Sequence, residues 1–398
     1  MNRTLMHTGA VLLTAATLAA CSSSPNEAGT TAAPSTTSTT SSGVDTAVLK
    51  PGNYPITPRP AEPWSPAAAI KMQAREMADF VVGPWEADPD LTRGLVQAYL
   101  ITDAAKLKGV LLEAGTKAAE HHFINAFTDT RVDRNNPAGK RLVTMVMRFP
   151  TPEDARAAAI ETSAALGSYL KAGAQETAFI PGHPETYSTQ SPQPGGKYQV
   201  TGLTARGAFV LYQEAQSPES AEAAAALVGK TLDLQIPRID GYHPSDPAQQ
   251  QSLDPTGLAA KTLPGPVTNS VGVYGAYGAL HFSQDPPKTE KRYTAAGVDF
   301  EAEGATTVIQ TKDPAAATAL ASTIFDANNV GKKPGPTVAG LPTAKCVESA
   351  DAHSADPTAP PNYQCVTPMG RWVVLAAAQQ AADITQQVAA QYLLLIGK

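Results

Sequence analysis

The reactive side chains are few: seven histidines and three cysteines in 398 residues. Glu120, His121 and His122 stand together, with Asp129 and Asp133 downstream. Neighbours on a helix point about 100° apart and on a strand to opposite faces, so one metal ion could not use both histidines. We expect no metal site and no cofactor. His183 and Glu185 could form an acid/base pair beside Tyr187, but no nucleophile or oxyanion arrangement accompanies them. His281 lies near the end of a strand-like pattern. The chain has no G-x-S-x-G elbow, no H-E-x-x-H and no ordered S-x-x-K and K-T-G set. No catalytic residue is therefore named.

The cysteines divide. Arg3, a run of small and aliphatic residues and Leu18-Ala19-Ala20 precede Cys21, the order of a secretion signal over 1–20 closed by a lipobox. The run is shorter than the ~20 apolar residues needed to span a bilayer. Cys21 is the expected lipidation site, and 21–49 the expected Ser-, Thr- and Pro-rich tether. The 28 residues after Cys21 would reach about 30 Å. Cys346 and Cys365 remain, an even pair for an oxidising compartment and most simply a disulfide. Closing a loop of about 20 residues would stabilise the fold by roughly 3 kcal/mol.

The elements that must position these residues repeat. Residues 141–166 read as a strand, a Thr-Pro-Glu-Asp helix start and a helix, and 303–324 as a strand, an Asp-Pro start and a helix. Aligning Thr144 with Thr306 also aligns Pro152 with Pro314. Each helix is followed by a Pro-rich loop (180–198 and 341–362), a hairpin and a last helix near 217–228 and 381–394. Phe209 aligns with Val373 in the hairpins. Upstream strands are expected at 121–132 and 273–283, the latter with Tyr274, Leu280 and Phe282 on one face. A helix is read from 66 to 82, with Ile70, Met77 and Phe80 on one stripe.

These segments predict an α+β fold: two similar β-α-β-β-α-containing units, each a four-stranded antiparallel sheet with helices on one face, related by a pseudo-twofold and sharing an intimate interface. The first unit is placed at 50–234, a linker at 235–268 and the second unit at 269–398. The two Pro-rich loops fall at equivalent positions. Beside them Tyr187, Tyr198, Tyr277 and Tyr363, with His183, form the candidate binding rim. A tyrosine offers a broad apolar ring with a polar handle.

The lipobox at Cys21, the PGNYPITPRP arm at 51–60, EMAD at 76–79, Cys346 and Cys365, GRWVVL at 370–375 and AAQYLLL at 389–395 resemble a family of actinobacterial, largely mycobacterial, cell-envelope lipoproteins. The resemblance covers nearly all of 45–398. It implies location and architecture and brings no catalytic or cofactor set. The expected function is that of a non-enzymatic, lipid-anchored lipoprotein on the outer face of the cytoplasmic membrane or in the cell envelope. It would bind an envelope protein, a lipid or a glycolipid. A structural or sensor-like surface domain and an envelope hydrolase are the alternatives. With 30 Lys and Arg against 36 Asp and Glu, and a formal charge of −6, nucleic acid is not an expected partner.

Overall fold

Thr151 and Asp313 each stand immediately before a proline, and each starts a helix. Thr151 Oγ1 accepts from the Asp154 N–H at 3.0 Å, and Asp313 Oδ1 from the Ala316 N–H at 2.8 Å. The prolines occupy first-turn positions where no N–H is needed. Around these two starts the computed structural model repeats one topology. It describes residues 43–169, 176–265, 271–349 and 362–397. Cys21, the signal and most of the tether lie outside the described residues.

In chain order the elements are α1 (Pro66–Glu76), the single turn α2 (Pro84–Ala87), β1 (Arg93–Ile101), the short α3 (Lys108–Leu111) and α4 (Gly115–Glu120), β2 (Asn125–Val132), β3 (Arg141–Arg148), α5 (Pro152–Tyr169), β4 (Tyr187–Gln193), β5 (Lys197–Arg206), β6 (Phe209–Ser217) and α6 (Ala221–Ile239). The second half follows with β7 (Gly272–Gly275), α7 (Pro286–Ala296), β8 (Phe300–Glu303), β9 (Thr306–Gln310), α8 (Pro314–Asn329), β10 (Lys333–Pro334), β11 (Lys345–Ser349), β12 (Asn362–Met369), β13 (Trp372–Ala378) and α9 (Ala381–Ile396).

The first sheet has the order β1-β2-β3-β6-β5-β4, and the second, read from its other edge, β7-β8-β9-β13-β12-β11-β10. All pairings are antiparallel. The second sheet is thus the first with one added edge strand, β10. The α+β class and the two similar units are those read from the sequence. Register refines the alignment: Arg148 pairs with Phe209 and Gln310 with Trp372, so Phe209 corresponds to Trp372 and not to Val373.

Several details differ from expectation. The sheets have six and seven strands: the Pro-rich loops contribute β4 and β11, β1 adds to the first sheet, and β8 and β10 add to the second. Helices cover both faces of each sheet. Ala155, Ala158 and Ala159 of α5 pack with Val143, Met145 and Met147, while Val228 and Leu232 of α6 pack with Leu142 and Val146. Consecutive strand residues point oppositely, so the two helices lie on opposite sides. In the second sheet α8 shares a cluster with Ile309 and Val373, and α9 with Val308 and Val374. The expected boundary at 234/235 falls inside α6, which accommodates Pro237 in its last turn. The strand read at 273–283 stops at Gly275, and a 3-10 turn covers Gly278–Phe282. Its cause is remote in sequence: Asp79 accepts from the backbone N–H of Gly275 at 3.2 Å and of Gly278 at 2.7 Å. A Cβ at Gly275 would lie 2.3 Å from Asp79 Oδ2, so any other residue there would push the carboxylate off these two N–H groups.

The halves share one core. It joins the α6 side of the first sheet to the α8 side of the second through Met77, Val81, Trp85, Tyr274 and Leu280. Those sides are not equivalent in the repeat, so the contact is head-to-tail and not the self-complementary one of a twofold.

At its centre is Arg131, 1% exposed. Its Nε donates to Asp129 at 3.2 Å, its Nη1 to the carbonyls of Thr92 (2.7 Å) and Ser283 (2.9 Å), and its Nη2 to the His281 carbonyl (2.6 Å). Asp129 also meets His281 Nδ1 at 2.9 Å. We expect Arg131→Met to lower folding stability by about 3–5 kcal/mol, because Asp129 is left buried without its cation. Arg206→Ala, at an exposed ion pair with Asp240, should cost no more than about 1 kcal/mol. Chemical denaturation of both variants checks the contrast. Equal, small losses would show that the guanidinium is dispensable.

Candidate functional site

The register comparison locates the site. Met145 pairs with Tyr212 in the first half, and Thr307 with Leu375 at the matching place in the second. Ala126 and Thr128, opposite Met147 and Met145, correspond to Glu301 and Glu303, opposite Ile309 and Thr307. In the first half Met145, Met147, Tyr212 and Ala126 fill the core beneath α5. In the second half smaller side chains and two carboxyls take those places. The result is a groove of about 830 Å³ on that face, walled by α7 and α8.

Glu301 and Glu303 alternate on β8, so both face the groove. The two carboxyls interact electrostatically. The Tyr293 hydroxyl donates to Glu301, and the Thr307 hydroxyl donates to Glu303 at 3.1 Å. Asp285 caps α7, the helix that carries Tyr293. Burial, followed by the charge of Glu303, pushes the Glu301 carboxyl well above its usual range. Burial also raises Glu303, and it raises the Tyr293 phenol with Glu301 adding to the effect. The pair therefore keeps a proton that two separate carboxyls would lose. Around the opening stand Lys288, Arg292, Lys332 and Lys345. A smaller cleft of about 350 Å³ lies between the 59–62 arm, α1 and the 253–260 segment.

The residues singled out in the sequence do not gather at one rim. Tyr187 opens β4 and packs on the α5 side, while Tyr198 sits on β5 and is 40% exposed. His183 is buried between Glu185 (3.3 Å) and Asp233 (3.0 Å). Tyr277 is not at an edge at all but in the junction between the halves. It donates to Glu86, accepts from the Gly83 N–H at 2.9 Å and lies under the Arg238 guanidinium, which grips Glu86 with two 2.7 Å bonds. Burial and then Glu86 push the Tyr277 phenol well above its usual range. Tyr363 packs on the α9 side of β12, away from the groove. His353 and the rest of 350–361 lie outside the described residues. Cys346 and Cys365 are bonded, joining directly paired positions of β11 and β12, and Cys365 borders the groove. Glu120 pairs with Lys117, His121 with Glu161 and His122 with Asp154. Among the described residues no cluster of His, Cys, Asp or Glu side chains could hold a metal ion.

Sequence reading missed Glu301, Glu303 and Tyr293. It matched the strand at 121–132 to 273–283, whereas β2 corresponds to β8. Extending the repeat upstream through Glu303 and Glu301 would have set two acids against Thr128 and Ala126 of a packed strand.

Comparison with known families follows the same division. Residues 60–255 match the model described as Domain of unknown function (DUF7373) N-terminal, and residues 250–398 the one described as Domain of unknown function (DUF7373) C-terminal. The chain belongs to the DUF7373 family. The DUF7373 N-terminal part contains the whole first sheet and the C-terminal part the whole second sheet with the groove. Among curated proteins none matches the chain. Among solved structures, the extracellular domain of PknH from Mycobacterium tuberculosis is similar at 16% identity and a TM-score of 0.32, over 40% of this chain and 95% of that one.

The carboxyl pair makes stability depend on pH. The folded chain holds the Glu301 proton more tightly than the unfolded chain, whose reference value is 4.5. Stability is then fullest below that value and declines as pH rises towards the folded-state value. Glu301→Gln replaces the acid by a neutral amide. Urea midpoints measured from acid to neutral pH should show the variant gaining on the native chain as pH rises. A constant difference across pH would contradict a proton held in the pair.

Proposed function

We propose that this DUF7373 protein is a non-enzymatic lipoprotein of the cell envelope, anchored through Cys21, that binds an envelope component in the groove of its second half. One observation carries the reading: the face packed shut in the first copy of the fold is open in the second, and the opening holds polar groups. Filled cores stabilise, so a repeat that leaves about 830 Å³ open forgoes stability at that face. The lipobox and the Ser- and Thr-rich stretch after it support anchoring and display. Among the described residues no helix is long and apolar enough to cross a membrane.

The Glu301 and Glu303 pair favours a second reading, an envelope hydrolase. Its geometry speaks for binding instead. Tyr293 and Thr307 already donate to the two carboxyls, which leaves neither free as the acid or the base and nucleophile that glycoside hydrolysis uses.

Two measurements test the proposal. Cys21→Ala should abolish acyl labelling in growing cells and release the chain from the membrane fraction; retention with label would rule out this anchor. The full-length detergent-solubilised chain should retain a component of an envelope extract. Thr307→Met with Leu375→Tyr, which installs the first half's filling, should weaken that retention by at least about tenfold, or 1.4 kcal/mol. Undiminished retention in a folded variant would place binding elsewhere.

A further inference from the structure

Four cations stand around the groove in a chain with more acids than bases: Lys288 and Arg292 from α7, Lys332 after α8, and Lys345 from β11. None has an ion pair among the described residues. Lys332 donates to Gln364 at 2.9 Å, and Lys345 sits 5.1 Å over the Phe325 ring. Five arginines elsewhere in the chain do have an ion pair. Arg131, Arg141, Arg206, Arg238 and Arg371 each contact a carboxylate. Asp285, the acid at the mouth, is engaged in capping α7.

Cations gathered at a concavity repel one another, and such a field raises the local concentration of anions. Beneath them the floor is of another kind. The Glu301 and Glu303 pair, Tyr293 and Thr307 present both donors and acceptors, and Gln364 adds an amide. A proton shared by two carboxyls lets the floor donate as well as accept. Phe325 and Leu375 add apolar surface to the lining.

Resting on the binding reading above, we infer that the groove takes an anionic, polyhydroxylated group: a sugar carrying a phosphate or carboxylate. Its charge would lie among Lys288, Arg292, Lys332 and Lys345, and its hydroxyls on the carboxyl pair. The same chemistry occurs in a free acidic sugar and in the headgroup of an acidic glycolipid. A bare acyl chain would strand the polar floor without partners. A long polyanion would need a continuous charged track.

The test uses the full-length chain in detergent and isothermal titration with glucose 1-phosphate, glucuronate, glucose and inorganic phosphate. The acidic sugars should bind at least about tenfold more tightly than glucose or phosphate alone. Lys288→Ala with Arg292→Ala, both on the surface of α7, should remove that preference while leaving the melting temperature unchanged. Glu301→Gln should weaken the acidic sugars and leave inorganic phosphate unaffected. Co-sedimentation with phosphatidylcholine vesicles containing phosphatidylinositol separates the sources: binding there with weak binding of soluble probes assigns a lipid headgroup, and the reverse assigns a free sugar. Equal binding of glucose and glucose 1-phosphate would overturn the inference. So would loss of envelope-extract retention in Thr307→Met/Leu375→Tyr with no competition from any acidic sugar or vesicle, in which case the groove still binds but reads other chemistry. Absence of any retained envelope component in the native chain would overturn the binding reading itself.

Discussion

A buried guanidinium held by one carboxylate and three carbonyls is the constraint on which the rest of this structure hangs. Arg131 belongs to the first sheet, yet two of the carbonyls it holds, those of His281 and Ser283, belong to the second half. Removing a charge from water is tolerable only when a counter-charge and further hydrogen bonds replace the lost hydration. The segment from Tyr277 to Ser283 is therefore fixed in one conformation, with Glu86 and Arg238 holding Tyr277 from the other side. Directly after that segment Asp285 caps α7, and α7 carries Tyr293 onto the carboxyl pair. The shape of the groove thus follows from the junction between the halves.

The repeat explains how one fold serves two ends. Both copies have the same strand order and a helix on each face of the sheet. In the first copy Met145, Met147 and Tyr212 fill the space beneath α5, and that half is closed core. In the second, Thr307, Ile309 and Leu375 are shorter, and Glu301 and Glu303 bring charge where Ala126 and Thr128 bring none. Loss of packing there is offset elsewhere. The disulfide ties β11 to β12 beside the groove, and Gln391 of α9 holds Thr306 at 2.6 Å and the Leu263 N–H at 2.9 Å. Attaching the open copy head-to-tail to a closed one gives it a rigid support without pressing the two equivalent faces together.

What could be read from the sequence was local. Thr151-Pro152 and Asp313-Pro314 mark helix starts because a cap and a proline act within one turn. The glycines Gly207 and Gly370, at φ of +53° and +59°, mark the two hairpin turns. What could not be read was decided by residues far along the chain. The alternation in VYGAYGALHF suits a strand, and only Asp79, nearly 200 positions away, ends it at Gly275. Tyr277 looks like a rim tyrosine until Glu86 and Arg238 arrive from the first half. Glu301 and Glu303 sit in a strand of four residues, too short for its period to show that both acids point inward.

The central claim is that the second copy is open because something occupies it. The most direct measurement is native mass spectrometry of the intact lipoprotein purified from its own envelope, with extraction and identification of any small molecule that accompanies it. We expect a one-to-one adduct that is acidic and rich in hydroxyls. A bare chain, with a protein retained only in cross-linked membranes, would contradict it and make the groove part of a protein interface.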